Sequence, residues 1–287
     1  MRRLINIVTE GAGILREGAG TTLVEGEGSD GLFRAKALNI WESAKAQIIK
    51  SIVKRHRRFN GRPIPVFTML LGGGAPGTYY DDPVVWTGDN GETLTVHFES
   101  TKATAGAELR NSPGSKDALV VLFHRLTEQP SETILYDEKA VTEYLDNTYK
   151  SKFFHEVIHY LDLLRYSHDR HITAHMEMLH RIRRHVSPFE YSRTYLNSPH
   201  ESNAHYHQIV LEYLISIENG HVPEPESFKE MVAQIRAVVL PNKAPVAKVF
   251  DNLLSTDNQR SWLKRWASLY TQRFAGGAAS QIEGSVT

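Results

Sequence analysis

Residues 153–164, FFHEVIHYLDLL, constrain this chain more than any other stretch. Phe153, Phe154, Val157, Ile158, Leu161 and Leu164 cover most of a helical circumference, so the segment reads as a buried helix. His155, His159, Asp162 and Tyr166, at steps of 4, 3 and 4, run a polar stripe through it. A buried polar group left without a partner costs about 1–3 kcal/mol. Any fold for this chain must therefore enclose the helix and supply that stripe with partners.

His155, Glu156 and His159 form H-E-x-x-H. Two histidines four apart on a helix point the same way, so both imidazoles can reach one metal ion. The glutamate beside the first lies over the open coordination position, where it can take a proton from a bound water. The chain has no cysteine, which excludes disulfides and thiolate chemistry and leaves His, Asp and Glu as metal ligands. Ten of its 14 histidines lie between His155 and His207. Asp162 can accept the second ring N–H of a liganding histidine. The plainer alternative is a satisfied pair of core histidines, or a surface stripe.

Zinc with one position left for water needs a third protein ligand. A histidine six residues after His159, with glycine between, is excluded because Asp162 and Arg165 stand there. A glutamate on a later helix is the other route. In YLNSPHESNAHYHQIVLEYL, residues 195–214, Ser198 reads as N-cap, Pro199 as the first helical residue, and Glu201 lies in the first turn. S-P-H-E is equally a capping box, with Glu201 bonding back to the Ser198 amide. Glu212 and His205 are alternative third ligands. His205 is one turn from Glu201 on the same face, which also suits a role beside the site. Tyr195, Tyr166, Tyr206 and Arg193 are further candidates to stabilise developing negative charge. His200 and His207 read as surface or packing residues. A second metal group from His168, His171 and His175 is a weaker option.

Around this centre the chain reads as α+β. Residues 1–31 are Gly-rich, and residues 32–58 show helical periodicity ending in the basic RHRRFNGR, a solvated helix end. Strand-like runs follow at 63–71, 92–100, 118–126 and 132–137, separated by Gly/Pro-rich loops. Later segments are helical: 138–149, 151–167, 171–186, 199–219, 226–239, 245–255 and 258–273. The expected organisation is an N-terminal α/β part over 1–150 with the sheet, a helical part over 151–275 with the metal group, and a tail over 276–287, together one catalytic unit.

The pattern resembles the gluzincin type of zincin metallopeptidases, in which H-E-x-x-H is followed by a glutamate on a downstream helix. Residues 198–205, SPHESNAH, are also similar to the S-P-x-E-x-x-A-H signature of small predicted phage and bacterial metallopeptidases. The resemblance covers about residues 150–215. It implies a zincin-like fold: a mixed sheet, an active-site helix beneath it and a mainly helical second half. It implies Zn2+ held by His155, His159 and Glu201, with Glu156 as general base and one nearby donor for the oxyanion, for which His205 and Tyr195 are the candidates taken from the residues themselves. The implied activity is peptide-bond hydrolysis by activated water, on a protein or peptide that pairs with an edge strand, here 132–137 or 92–100. The alternative is a non-catalytic, zinc-stapled structural or phage-assembly protein; a weaker one is hydrolysis of another amide, such as a cell-wall peptide.

Lys+Arg and Asp+Glu balance at 33 each, so no overall field points to nucleic acid or an anionic membrane. The N-terminal apolar run is too short for a secretory signal, and no stretch is long enough for a membrane span. The expected setting is cytoplasmic, or virion-associated or exported by another route.

Overall fold

The computed structural model describes residues 28–58, 84–101, 106–111, 115–125, 138–165, 185–240 and 244–275. The expected strands at 63–71 and 132–137, most of the helix at 171–186, the lead-in before residue 28 and the tail lie outside them, as do Tyr166, His168, His171 and His175. The chain divides into two compact units. One is Lys36–His168; the other combines Met1–Ala35 with Asp169–Thr287.

The first unit holds one mixed four-stranded sheet and the helices on it. Helix α1 (Gly28–Arg58), which belongs to this unit from Lys36 on, ends within the expected basic segment. Its Ala37, Ile40, Trp41, Ala44, Ile48 and Ile52 are fully buried, at helical spacing. The strands are β1 (Val84–Thr87), β2 (Thr93–Thr101), β3 (Gly106–Asn111) and β4 (Asp117–Arg125). Their order is β1-β2-β4-β3, with β2 parallel to β4 and both outer pairs antiparallel. Leu94, Val96 and Phe98 of β2 and Val120 and Leu122 of β4 are buried at alternate positions, giving the sheet its apolar face. β1 and β2 form a hairpin whose Gly91 adopts φ 77°, a conformation that favours glycine.

One sequence expectation changes here. Residues 92–100 do form a strand, but β2 lies between β1 and β4 over Thr93–Val96, so that stretch is not the sheet's edge. Among the described residues the edges are β1 and β3, neither of which the sequence reading identified. GAELRN is short and mixes a glycine and two charges into a strand, so its apolar alternation is weak.

Helix α2 (Glu138–Leu145) runs into a π-helical turn, Asp146–Lys150, and on into α3 (Ser151–Arg165), which carries H-E-x-x-H. Phe153, Phe154, Val157, Ile158 and Tyr160 are fully buried, and the helix packs on β3 and β4. Each such large apolar side chain contributes about 1.5–3 kcal/mol on burial. Asp146 in the π turn accepts hydrogen bonds from Trp41 Nε1 at 2.7 Å and from Lys45 Nζ at 2.9 Å, tying α1 to the point where α3 begins. The hydroxyl of Tyr160 donates to the carbonyls of Thr93 and Lys116, fixing α3 against the β2 and β4 ends.

The second unit is helical: α4 (Pro188–Leu196), α5 (Pro199–Glu218), α6 (Phe228–Ala237), α7 (Val246–Asn252) and α8 (Thr256–Tyr270). Its core is aromatic, with Tyr206 and Tyr213 of α5, Phe250 of α7 and Trp262 and Trp266 of α8 packed with Ile209, Val210, Met231 and Ile235. Phe250 stacks on Trp266 at 5.4 Å between ring centroids. Helix α4 was not expected; Ser187, Pro188 and Glu190 form a complete capping box at its start, and that S-P-F-E pattern was its signal. Among the described residues no helix is long and apolar enough to cross a membrane.

Candidate metal centre

On α3 the two histidines of the motif face the same way, as the four-residue step requires. Their Nε2 atoms stand 3.1 Å apart, with the rings near perpendicular at 84°. Nitrogens bound at about 2.0–2.1 Å to one tetrahedral ion lie roughly 3.3–3.4 Å apart, so the pair is close to a metal chord without rearrangement. His155 is only 9% exposed, and Asp162 on the same stripe is buried at 6%.

Glu156 sits beside this pair and is held by the sheet. Its Oε2 accepts the backbone N–H of Leu109 on β3 at 3.0 Å. Leu109 pairs with Val120 across β4, yet its N–H points away from β4 toward Glu156. In an antiparallel ladder the N–H and C=O of one residue share a side and alternate along the strand. Ala107 and Leu109 therefore turn their backbone groups to the side of β3 away from β4, next to the glutamate, a side that pairs with no other strand among the described residues. The strand beside Glu156 is thus β3, rather than 92–100. The Leu109 amide is a site group that side-chain motifs cannot reveal, because any residue there supplies it.

On α5 Glu201 lies in the first turn and is 3% exposed. The capping-box alternative does not hold. Ser198 is the N-cap residue but makes no side-chain cap bond. Its Oγ donates to the Tyr195 carbonyl at 2.7 Å, and its N–H donates to the same carbonyl at 3.1 Å, so Glu201 is not needed there. His205, one turn on, brings Nε2 to 4.0 Å from one Glu201 oxygen, and His200 brings its own to 3.8 Å from the other. His200 and His207 are both buried, at 7% and 1%, so of the two readings packing holds and surface does not. His207 packs against Phe33 and lies between Arg34 and Arg265, with Arg265 Nη2 at 3.0 Å from its Nε2. Burial first, then these two cations, hold its pKa well below the ordinary value. Burial likewise pushes the Tyr206 hydroxyl up to about 12, with Arg265 lying 3.5 Å over its ring.

One ligand atom each from His155, His159 and Glu201 lies within 4.8 Å of the others, a group that can hold a metal ion. Two imidazoles and a carboxylate suit borderline divalent ions such as zinc. Glu212, half-buried and well along α5, is not part of this group, nor is His205. Tyr195 is half-buried on α4, its ring stacked on Tyr191 at 5.9 Å between centroids. Arg193 is exposed, and Tyr206 belongs to the aromatic core. No protein-family model, curated protein or solved structure matches this chain.

Proposed function

We propose that this chain is a zinc-dependent metallopeptidase of the gluzincin kind. His155, His159 and Glu201 hold the ion and Glu156 is the general base. The observation that carries the reading is the convergence of two imidazoles and a buried carboxylate within 4.8 Å, with a second carboxylate one residue along the same helix. A purely structural zinc site takes four protein ligands, whereas three with an adjacent glutamate leave a position open for water. The bound ion supplies Lewis acidity, lowering the pKa of water and polarising a carbonyl.

The remaining work falls to the chain's own residues. Glu156 accepts the proton of the attacking water and passes it to the leaving amine. The Leu109 amide, 3.0 Å from its Oε2, restrains the carboxylate for that task. The outward N–H and C=O of Ala107 and the carbonyl of Leu109 offer hydrogen-bond partners to an extended peptide laid along β3. His205, beside Glu201, is the first choice as donor to the oxyanion, and Tyr195 the second. The mixed sheet with the H-E-x-x-H helix packed on β3 and β4 supports a zincin-like fold.

The test is Glu156→Gln in zinc-loaded protein assayed on a broad peptide library. The substitution keeps zinc bound and lowers hydrolysis by about 10²–10⁴-fold. Equal hydrolysis by the variant removes Glu156 as base. Zinc-dependent melting with no hydrolysis by the wild type identifies a zinc-stapled structural protein instead.

A further inference from the structure

The start of α5 has no cap of its own, yet it carries Glu201, so something else must fix that turn. Asn197, the residue between α4 and the N-cap, uses its side chain to capacity. A carboxamide has two N–H donors and room for two acceptor bonds. Asn197 Nδ2 donates to the carbonyls of Arg193 and Leu253, both at 2.7 Å. Its Oδ1 accepts the Ser255 N–H at 2.7 Å and Asn258 Nδ2 at 2.9 Å. One side chain thus joins the C-terminus of α4, the residue after α7 and the N-terminus of α8. Helix α8 then grips the two residues after Glu201: Trp262 Nε1 donates to Ser202 Oγ at 3.1 Å, and Arg265 Nη2 to Asn203 Oδ1 at 3.0 Å. Glu201 is bracketed by bonds to α8 on both sides.

We propose that Asn197 is the positioning residue for Glu201, setting the first turn of α5 so that its carboxylate meets the metal. This rests on the zinc site proposed above. Asparagine is required because the site presents two carbonyls and two N–H donors to one side chain. Aspartate has the same shape but no donor, and it sets a negative charge against the Arg193 and Leu253 carbonyls. Leucine or alanine leaves all four groups without this partner. The sequence offers no sign of it beyond an asparagine before Ser-Pro, since its partners lie about 60 residues away.

The test is zinc affinity by competition with a chelator, together with the visible spectrum of the Co2+-loaded protein. Asn197→Asp weakens zinc by about tenfold or more and alters the cobalt spectrum, while far-UV circular dichroism is retained. Asn258→Ala removes one of the four bonds without touching Asn197 and gives a smaller loss in the same direction; it carries the test if Asn197→Asp does not fold. Tyr213→Phe removes a 2.7 Å bond to Gln234 from the middle of α5 and leaves zinc affinity unchanged. Wild-type affinity in both asparagine variants, or an equal loss in Tyr213→Phe, overturns the inference, provided Glu201→Ala weakens binding. Equal binding by wild type and Glu201→Ala instead overturns the zinc assignment, and the inference with it.

Discussion

Ser-Pro-His-Glu spells a capping box and a ligand glutamate equally well, because both need a carboxylate on the first turn of a helix. At Ser198 no capping box forms, because its amide and hydroxyl both turn to the Tyr195 carbonyl. A capping glutamate tolerates replacement by glutamine, whereas a metal ligand loses its charge. Glu201→Gln therefore leaves the melting temperature of the metal-free protein nearly unchanged but weakens zinc by at least about tenfold, read by chelator competition. Unchanged zinc affinity would return Glu201 to a structural role. His155, Glu156 and His159 were legible because periodicity and chemistry coincide on one helix. The choice between surface and packing for His207 was not, since the groups against it, Phe33, Arg34 and Arg265, are distant in sequence. His207 also gives a pH signature. Burial and two arginines keep it neutral when folded, while the unfolded chain protonates it as pH falls through about 6.5. The unfolded state then binds more protons, so stability is lost toward acid and is unaffected above that range. Arg34 and Asp30 from α1 and Arg265 from α8 face the ring. In chelator, urea denaturation from pH 7 to 5 shows a shallower loss for His207→Gln than for the wild type; parallel slopes would contradict this.

At the scale of elements, the helices came through because they are long and strongly periodic: α1, α3, α5 and α8 lie where expected to within a few residues. The short strands β1 and β3 and the nine-residue α4 did not. β3 carries the Leu109 amide but alternates weakly, and α4 has no buried residue, so hydrophobic periodicity had nothing to register. The π turn at Asp146–Lys150 was equally hidden, since the expected break between helices proved to be a widened turn in continuous helix. One carboxylate ties that turn to α1. Lys45 is 5% exposed at its side chain and pairs with Asp146 at 2.9 Å and with the more exposed Glu42 at 2.8 Å. Asp146→Ala leaves a buried ammonium with one partner and frees the Trp41 indole N–H, costing about 3 kcal/mol in thermal or urea unfolding. Asp146→Asn, which keeps the acceptor for Trp41, costs less. Wild-type stability in Asp146→Ala would show that α3 is launched by its apolar packing alone.

For the molecule as a whole, balanced charge and missing cysteine narrowed the chemistry to His, Asp and Glu before any fold was in view. Strands before helices correctly suggested α+β, and the described residues hold one small mixed sheet and are mostly helical. What composition cannot reveal is which remote segments brace one another, as Asn197 and Asn258 do across 61 positions of the chain. The central claim is that His155, His159 and Glu201 form one zinc site. Its most direct measurement is elemental metal analysis with zinc titration of the wild type beside His155→Ala, Glu201→Ala and Glu212→Ala. A single zinc per chain is expected in the wild type and in Glu212→Ala, and its loss or marked weakening in the other two. Full zinc occupancy in Glu201→Ala, or no specific zinc in the wild type, would contradict it.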